Sequence, residues 1–256
     1  MAMPQRAWSW LRNNYRRLLL VGFALVLVAA VGVVTYFEIL PYHGTEASID
    51  AVRDDGQIAL SERDGNYVME PTAGDTSAGL VFYSGGRVHP DAYLASLAPL
   101  VREANVTVVV VKMPLNLAVL DQNAADGVIE RQTRIQQWYV GGHSLGGAMA
   151  CRYARSNAER VDGLLLFGAY CDKSIADTDL RVLSVVGGAD GVLNTESYEQ
   201  NKANLPESAN LESLPGLNHT HFGSYTGQDQ PTGTSFDVAH RRLANVTVPW
   251  FSNASR

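Results

Sequence analysis

The sequence predicts an α/β fold with a mostly parallel sheet. From Gly79 onward, strand-like and helix-like segments alternate. The strand segments are continuous apolar runs such as "VTVVVVK", the pattern of strands covered on both faces. Before Gly79, short β-like pieces separated by "DDG" and "RDG" suggest antiparallel strands at one edge.

In chain order, Arg6, Arg12, Arg16 and Arg17 come before any acidic residue. Leu18–Phe37 follows, 20 residues without a charge. At about 1.5 Å per residue this run spans about 30 Å, the hydrocarbon thickness of a bilayer. A buried core helix would show a polar face, and this run has none. The rival is a cleaved signal peptide. Val28 and Ala30 offer a small-residue cleavage pattern, but the apolar run continues past them. The expectation is therefore an uncleaved anchor. Arginines before it and Glu38 after it put the N-terminus in the cytoplasm and the rest outside, at the cell membrane. The predicted organisation is a basic tail (1–17), a transmembrane anchor (18–38), a linker (39–47) and one α/β domain (48–256).

Within that domain the expected β pieces are 48–53, 57–63 and 66–70. A strand at 79–83, a helix at 90–104 entered through Pro90, and a strand at 106–112 come next. A helix at 124–136, a strand at 137–143 and a helix at 144–157 follow. Strands are expected at 161–170 and 180–187, a helix at 196–204, and a last strand at 209–214. A helix is expected near 236–245. The net charge of −6 makes the molecule as a whole unsuited to nucleic acid. The two cysteines, Cys151 and Cys171, are expected as buried free thiols, with a disulfide as the alternative in an oxidising compartment. Too few ligands lie near them in sequence for a metal site.

The candidate chemistry centres on "GGHSLGG". Ser144 follows a buried strand and opens a helix, so a sharp turn would lift its hydroxyl above the sheet, and the flanking glycines would relieve collisions there. The competing reading is a simple helix N-cap. A serine needs a base. Of the six histidines, His143 adjoins the serine and is expected to point away from it. His43 lies in the linker, His89 in an early loop, and His240 on an expected surface helix beside Arg241 and Arg242. "GLNHTHFGSY", after the last strand, offers His219 and His221 at the carboxyl end of the sheet. Asp190, in "GGADGV" past another strand, is the candidate orienting acid, with Asp172 as runner-up. By itself an Asp-Gly pair is also an ordinary turn. Backbone N–H groups of Leu145 and of Gly86, or of Arg87 if the turn is shifted, are the candidate oxyanion donors.

With these residues in view, the chain resembles the α/β-hydrolase superfamily from about Ser48 to its C-terminus. More narrowly, it resembles a compact bacterial group with "YxGG", "KMPLNLAV", "GGHSLGG", "DGV" and "NHxxFGSY", here Tyr83–Gly86, Lys112–Val119, Gly141–Gly147, Asp190–Val192 and Asn218–Tyr225. The resemblance implies an α/β-hydrolase fold and a hydrolase of esters or related acyl bonds. It makes Ser144 the nucleophile, Asp190 the acid and His219, rather than His221, the base. It implies no metal and no organic cofactor, and a small acyl or ester compound as substrate. About ten residues separate the strands ending near Tyr170 and starting near Leu180, too few for a cap domain, so an open site is expected. A peptidase with the same triad, and a hydrolase-like protein that binds an acyl ligand or a partner without turnover, are the alternatives.

Overall fold

The computed structural model describes residues 5–74, 76 and 78–252, with side chains from residue 13. The chain forms two compact units, one up to Leu40 and one from Pro41 onward. In the first, helix α1 (Gln5–Val34) runs into a π-helical turn (Thr35–Ile39). The stretch Asn13–Ile39 is long and apolar enough to cross a membrane, and its apolar side chains, Leu19, Leu20 and Phe23 among them, are exposed.

The second unit opens with helix α2 (Glu46–Arg53), which corrects the β-like reading of 48–53. Thr45 Oγ1 caps it by accepting the Ser48 N–H. Ile49 and Val52, three apart, turn one face to the core, a helical spacing. Strands β1 (Ile58–Arg63) and β2 (Asn66–Pro71) then form an antiparallel hairpin. Its two-residue turn, Asp64–Gly65, has φ of 55° and 77°, the left-handed pair that matches strand twist.

The alternating part follows. Its elements are β3 (Ala78–Tyr83), α3 (Leu94–Ala104), β4 (Val106–Val111), α4 (Ala124–Arg131), β5 (Gln137–His143) and α5 (Leu145–Ser156). After them come β6 (Gly163–Phe167), β7 (Arg181–Gly187), α6 (Thr195–Asn201), β8 (Asn210–Leu214) and α7 (Phe236–Ser252). Helix α4 stops five residues short of the expected Gln136, whereas α7 runs seven beyond Asn245. The extension of α7 buries Trp250 and Phe251 in the core shared with α3.

The eight strands form one sheet in the order β1-β2-β4-β3-β5-β6-β7-β8. The hairpin lies at one edge, β2 pairs antiparallel with β4, and every later pair is parallel. Each central strand feeds two apolar layers. Leu80 and Phe82 face the layer covered by α2, α3 and α7. Val81 and Tyr83 face the layer covered by α4 and α5. No helix or strand intervenes between Phe167 and Arg181.

The cysteines correct the sequence reading. Cys151 on α5 and Cys171 beyond β6 form a disulfide, with Cα atoms 5.6 Å apart. A residue count cannot see this. The pairing arises because α5 lies beside the carboxyl end of β6.

Candidate active site

Gly86, Ser144, Asp190 and His219 lie just past the carboxyl ends of β3, β5, β7 and β8. Ser144 sits between β5 and α5 with φ 54° and ψ −123°, a conformation L-residues avoid. The turn is held by its environment. The Ser144 N–H donates to the Phe167 carbonyl on β6 at 3.0 Å. Gly146 lies so close to β3 that a Cβ there would meet the Tyr83 carbonyl oxygen at 2.2 Å. The Ser144 side chain makes no N-cap hydrogen bond, so the simple capping role does not apply.

His219 begins a short 3-10 turn (His219–Phe222) after β8. Its Nδ1 lies 2.8 Å from Asp190 Oδ2, and both side chains are 1% exposed. The other oxygen, Asp190 Oδ1, accepts the N–H groups of Val192 and Leu193 at 2.9 and 2.8 Å. With both oxygens engaged, the carboxylate has one orientation, and its Oδ2 accepts a hydrogen bond from the His219 Nδ1–H. His219 Nε2 is then the ring atom with a lone pair. It is buried and has no hydrogen-bond partner, Ser144 included. Catalytic hydrogen bonds of this kind often form only once substrate is bound. Gly168, at the end of β6 with φ 50°, leaves space for this pair. A Cβ there would stand 3.1 Å from Asp190 Oδ2 and 3.3 Å from His219 Nδ1.

His221 is occupied elsewhere. Its Nδ1 accepts the Asn218 N–H at 2.9 Å, and its Nε2 donates to the Thr234 carbonyl at 3.0 Å. Burial holds its pKa below the ordinary histidine value. A histidine with both nitrogens committed to backbone is a brace for the loop. Asp172 is likewise committed, to Arg152 through two hydrogen bonds. That guanidinium lowers its pKa.

Three neighbouring N–H groups could serve as the second oxyanion donor. Gly85 N–H donates to Tyr93 Oη and Arg87 N–H to the Asn116 carbonyl. Gly86 N–H donates to nothing among the described residues, and Gly86 lies against the Leu145 side chain.

Two contributors were missed from sequence. His143 is fully buried, and its ring centre stands 4.2 Å from that of His219. Its Nδ1 meets Tyr93 Oη at 3.0 Å. Burial, and then the neighbouring His219, hold its pKa well below the ordinary value. Asp229, in the "GQDQ" loop, accepts the N–H groups of His219 and Gly191 at 2.9 and 3.0 Å, so it ties the base loop to the acid loop. Burial raises its pKa, but hydrogen bonds from the His219, Gly191 and Gln230 N–H groups prevail and leave it lowered. Adjacency to Ser144 was the only sequence signal for His143. Asp229 gave none.

The expectation that His240 sits at the surface is also corrected. It is 8% exposed and donates from Nε2 to the Gly223 carbonyl at 2.9 Å.

Among known proteins, the model of the alpha/beta hydrolase family matches residues 79–237. Similar solved structures include a dienelactone hydrolase from Anabaena variabilis, with a TM-score of 0.55 at 14% identity over 77% of this chain and 98% of that one. Est1E from Butyrivibrio proteoclasticus aligns with a TM-score of 0.56 at 11% identity, over 77% of this chain and 100% of that one. A predicted CIB-like hydrolase from Thermoplasma acidophilum gives 0.51 at 14%, over 77% and 99%. At these identities the likeness is one of fold. A comparison with curated proteins gives no match.

Proposed function

The chain belongs to the alpha/beta hydrolase family, and within it we propose a membrane-anchored serine hydrolase that cleaves an ester or related acyl bond. The observation that carries this reading is the buried Asp190–His219 pair, whose Nε2 has no partner and whose ring centre stands 4.2 Å from that of His143, the residue before the strained turn at Ser144.

The mechanism follows from those roles. Ser144 Oγ attacks the acyl carbon while its proton passes to His219 Nε2. Asp190 keeps the imidazole in that tautomer and stabilises the imidazolium. The Leu145 N–H, at the N-terminus of α5, and the Gly86 N–H receive the negative charge on the former carbonyl oxygen. His219 then gives its proton to the departing alkoxide, and an alcohol leaves. Water, deprotonated by the same imidazole, attacks the acyl-enzyme; the acyl–Oγ bond breaks, His219 returns the proton to Ser144 Oγ, and the acid departs.

The absence of a helix or strand between β6 and β7 leaves that side of the site without a cap, which suits a modest, accessible acyl compound. Exposed Val119, Leu120 and Val192 offer apolar contact for its acyl part. The apolar helix supports anchoring, and the disulfide supports placing the domain outside the cytoplasm.

The test is labelling of detergent-solubilised protein with a fluorophosphonate, followed by turnover of p-nitrophenyl esters of increasing acyl length and of matched peptide amides. Wild type is expected to label at Ser144 and to hydrolyse esters, and Ser144→Ala to do neither. Faster cleavage of amides would make it a peptidase. No labelling and no turnover would leave a non-catalytic ligand-binding protein. Reporter fusions after Phe37 that are active only in the cytoplasm would overturn the orientation.

A further inference from the structure

The two histidines set aside as linker and loop residues meet at one carboxylate. Tyr42 and Val88 form a parallel bridge. The Tyr42 N–H donates to the Arg87 carbonyl, and the His89 N–H donates back to the Tyr42 carbonyl, both at 2.8 Å. This pairing sets His43 beside His89, with ring centres 4.4 Å apart. The next turn supplies Asp91, whose side chain is 9% exposed. Asp91 Oδ1 is taken by the Gly44 N–H at 2.9 Å. Asp91 Oδ2 faces His43 Nδ1 at 2.7 Å and His89 Nδ1 at 2.9 Å.

We propose that His43, His89 and Asp91 form a binding site for a divalent metal ion of the zinc class, which fastens the segment after the apolar helix to the loop carrying Gly86. One donor atom from each of the three residues lies within 4.8 Å of the other two. Tetrahedral zinc, with bonds of about 2.0–2.2 Å, holds its donors ~3.3 Å apart. The two contacts to Asp91 therefore need to open by a few tenths of an ångström, and the two imidazole nitrogens, no more than 4.8 Å apart, to settle at the same spacing. Each imidazole ligates through its Nδ1 lone pair and keeps its proton on Nε2; at His89 the ion replaces the long 3.5 Å contact from the Asp91 N–H. Two imidazoles and one carboxylate favour zinc over calcium or magnesium, which prefer oxygen donors. The Gly44 N–H on Asp91 Oδ1 orients the carboxylate, as hydrogen bonds around metal ligands commonly do. His43, 50% exposed at its side chain, leaves a fourth position open to water. The site is separate from the Asp190–His219 pair and does not depend on the proposed reaction.

The test uses untagged full-length protein in detergent, stripped with a chelator and exchanged into metal-free buffer. Zn2+ is titrated against a chromophoric competitor, and Co2+ binding is followed by its visible absorption. The expected result is one equivalent of Zn2+ bound, an intense four-coordinate Co2+ spectrum, and affinity at least about tenfold weaker in His43→Ala. His43 is exposed, so this variant keeps its fold, which circular dichroism verifies; Asp91→Asn gives a second loss of ligand. Equal Zn2+ affinity in wild type and His43→Ala, or no binding by wild type at micromolar Zn2+, would overturn the proposal.

Discussion

Among the described residues, two places set an imidazole Nδ1 against a carboxylate oxygen. His219 does so on Asp190 at 2.8 Å, and His43 and His89 do so on Asp91 at 2.7 and 2.9 Å. The bond is the same, but the surroundings differ. Asp190 meets one ring, and the pair is closed to water, so the carboxylate can only fix a tautomer and leave Nε2 ready to take a proton. Asp91 meets two rings, one of them half exposed, so three donor atoms converge where an ion can enter. The number of rings and their access to water separate the pair proposed for proton transfer from the cluster proposed as a chelate. The His–Asp contact alone does not.

The largest expected effect tests the first half of that contrast. His219→Ala should lower ester kcat/KM by about 10⁴-fold, and Asp190→Asn, which stabilises the wrong tautomer, by a similar factor. His221→Ala, two residues away, should instead lower stability by roughly 1–3 kcal/mol, because it strands the Asn218 N–H and the Thr234 carbonyl. Fluorophosphonate labelling alongside urea denaturation separates the two outcomes. If His221→Ala lost turnover while His219→Ala kept it, the base would be misassigned.

Much of this pair was readable in the sequence, for a physical reason. Continuous apolar strands announce a two-sided sheet, and Ser144, Asp190 and His219 each fall just past a strand's carboxyl end. His219 and His221 could not be separated from the residues alone, since both occupy the same loop. The commitment of both His221 nitrogens to backbone distinguishes them, and that depends on Thr234 coming close, 13 residues away. The His43–His89–Asp91 cluster was not legible because a single bridge, Tyr42 with Val88, brings segments 46 residues apart together. The β-like reading of 48–53 failed where the signal was present: Thr45 as a cap, and Ile49 and Val52 at helical spacing.

The two candidate oxyanion donors extend the comparison, because each has its own fastening. Leu145 begins α5, which the Cys151–Cys171 disulfide clips to the segment after β6. Gly86 lies in the loop that the proposed His43–His89–Asp91 site would fasten. Closing a loop with a sequence separation of 20 should stabilise the fold by about 3 kcal/mol. Denaturation midpoints with and without reductant measure it, with Cys151→Ala/Cys171→Ala as the control that reductant should leave unchanged. A midpoint indifferent to reductant in wild type would show that α5 is held by packing alone.

The smallest expected effect concerns three buried histidines outside both pairs. His143, His221 and His240 all have pKa values below the ordinary 6.5, each chiefly through burial. The charges around them differ. His143 faces the His219 ring and the phenols of Tyr93 and Tyr225. His221 has Asp229 nearby, and His240 has Asp237 and His221. In the folded chain these rings stay neutral at pH values where the unfolded chain has protonated them. Between the folded values and 6.5 the unfolded state therefore binds more protons. Stability is complete above that window and is lost as pH falls through it. Urea midpoints should decline from pH 7.5 to 5.5, before the lowered carboxylates such as Asp172 and Asp229, whose ordinary value is 3.8, begin to protonate. Chelator must be present, so that metal binding at the proposed site does not contribute to the profile. His221→Gln keeps a donor for the Thr234 carbonyl but cannot titrate, so it should flatten the decline. A wild-type profile already flat across this range would mean that the three rings are not held neutral, and the close packing of a neutral His143 ring against His219 would lose its physical basis.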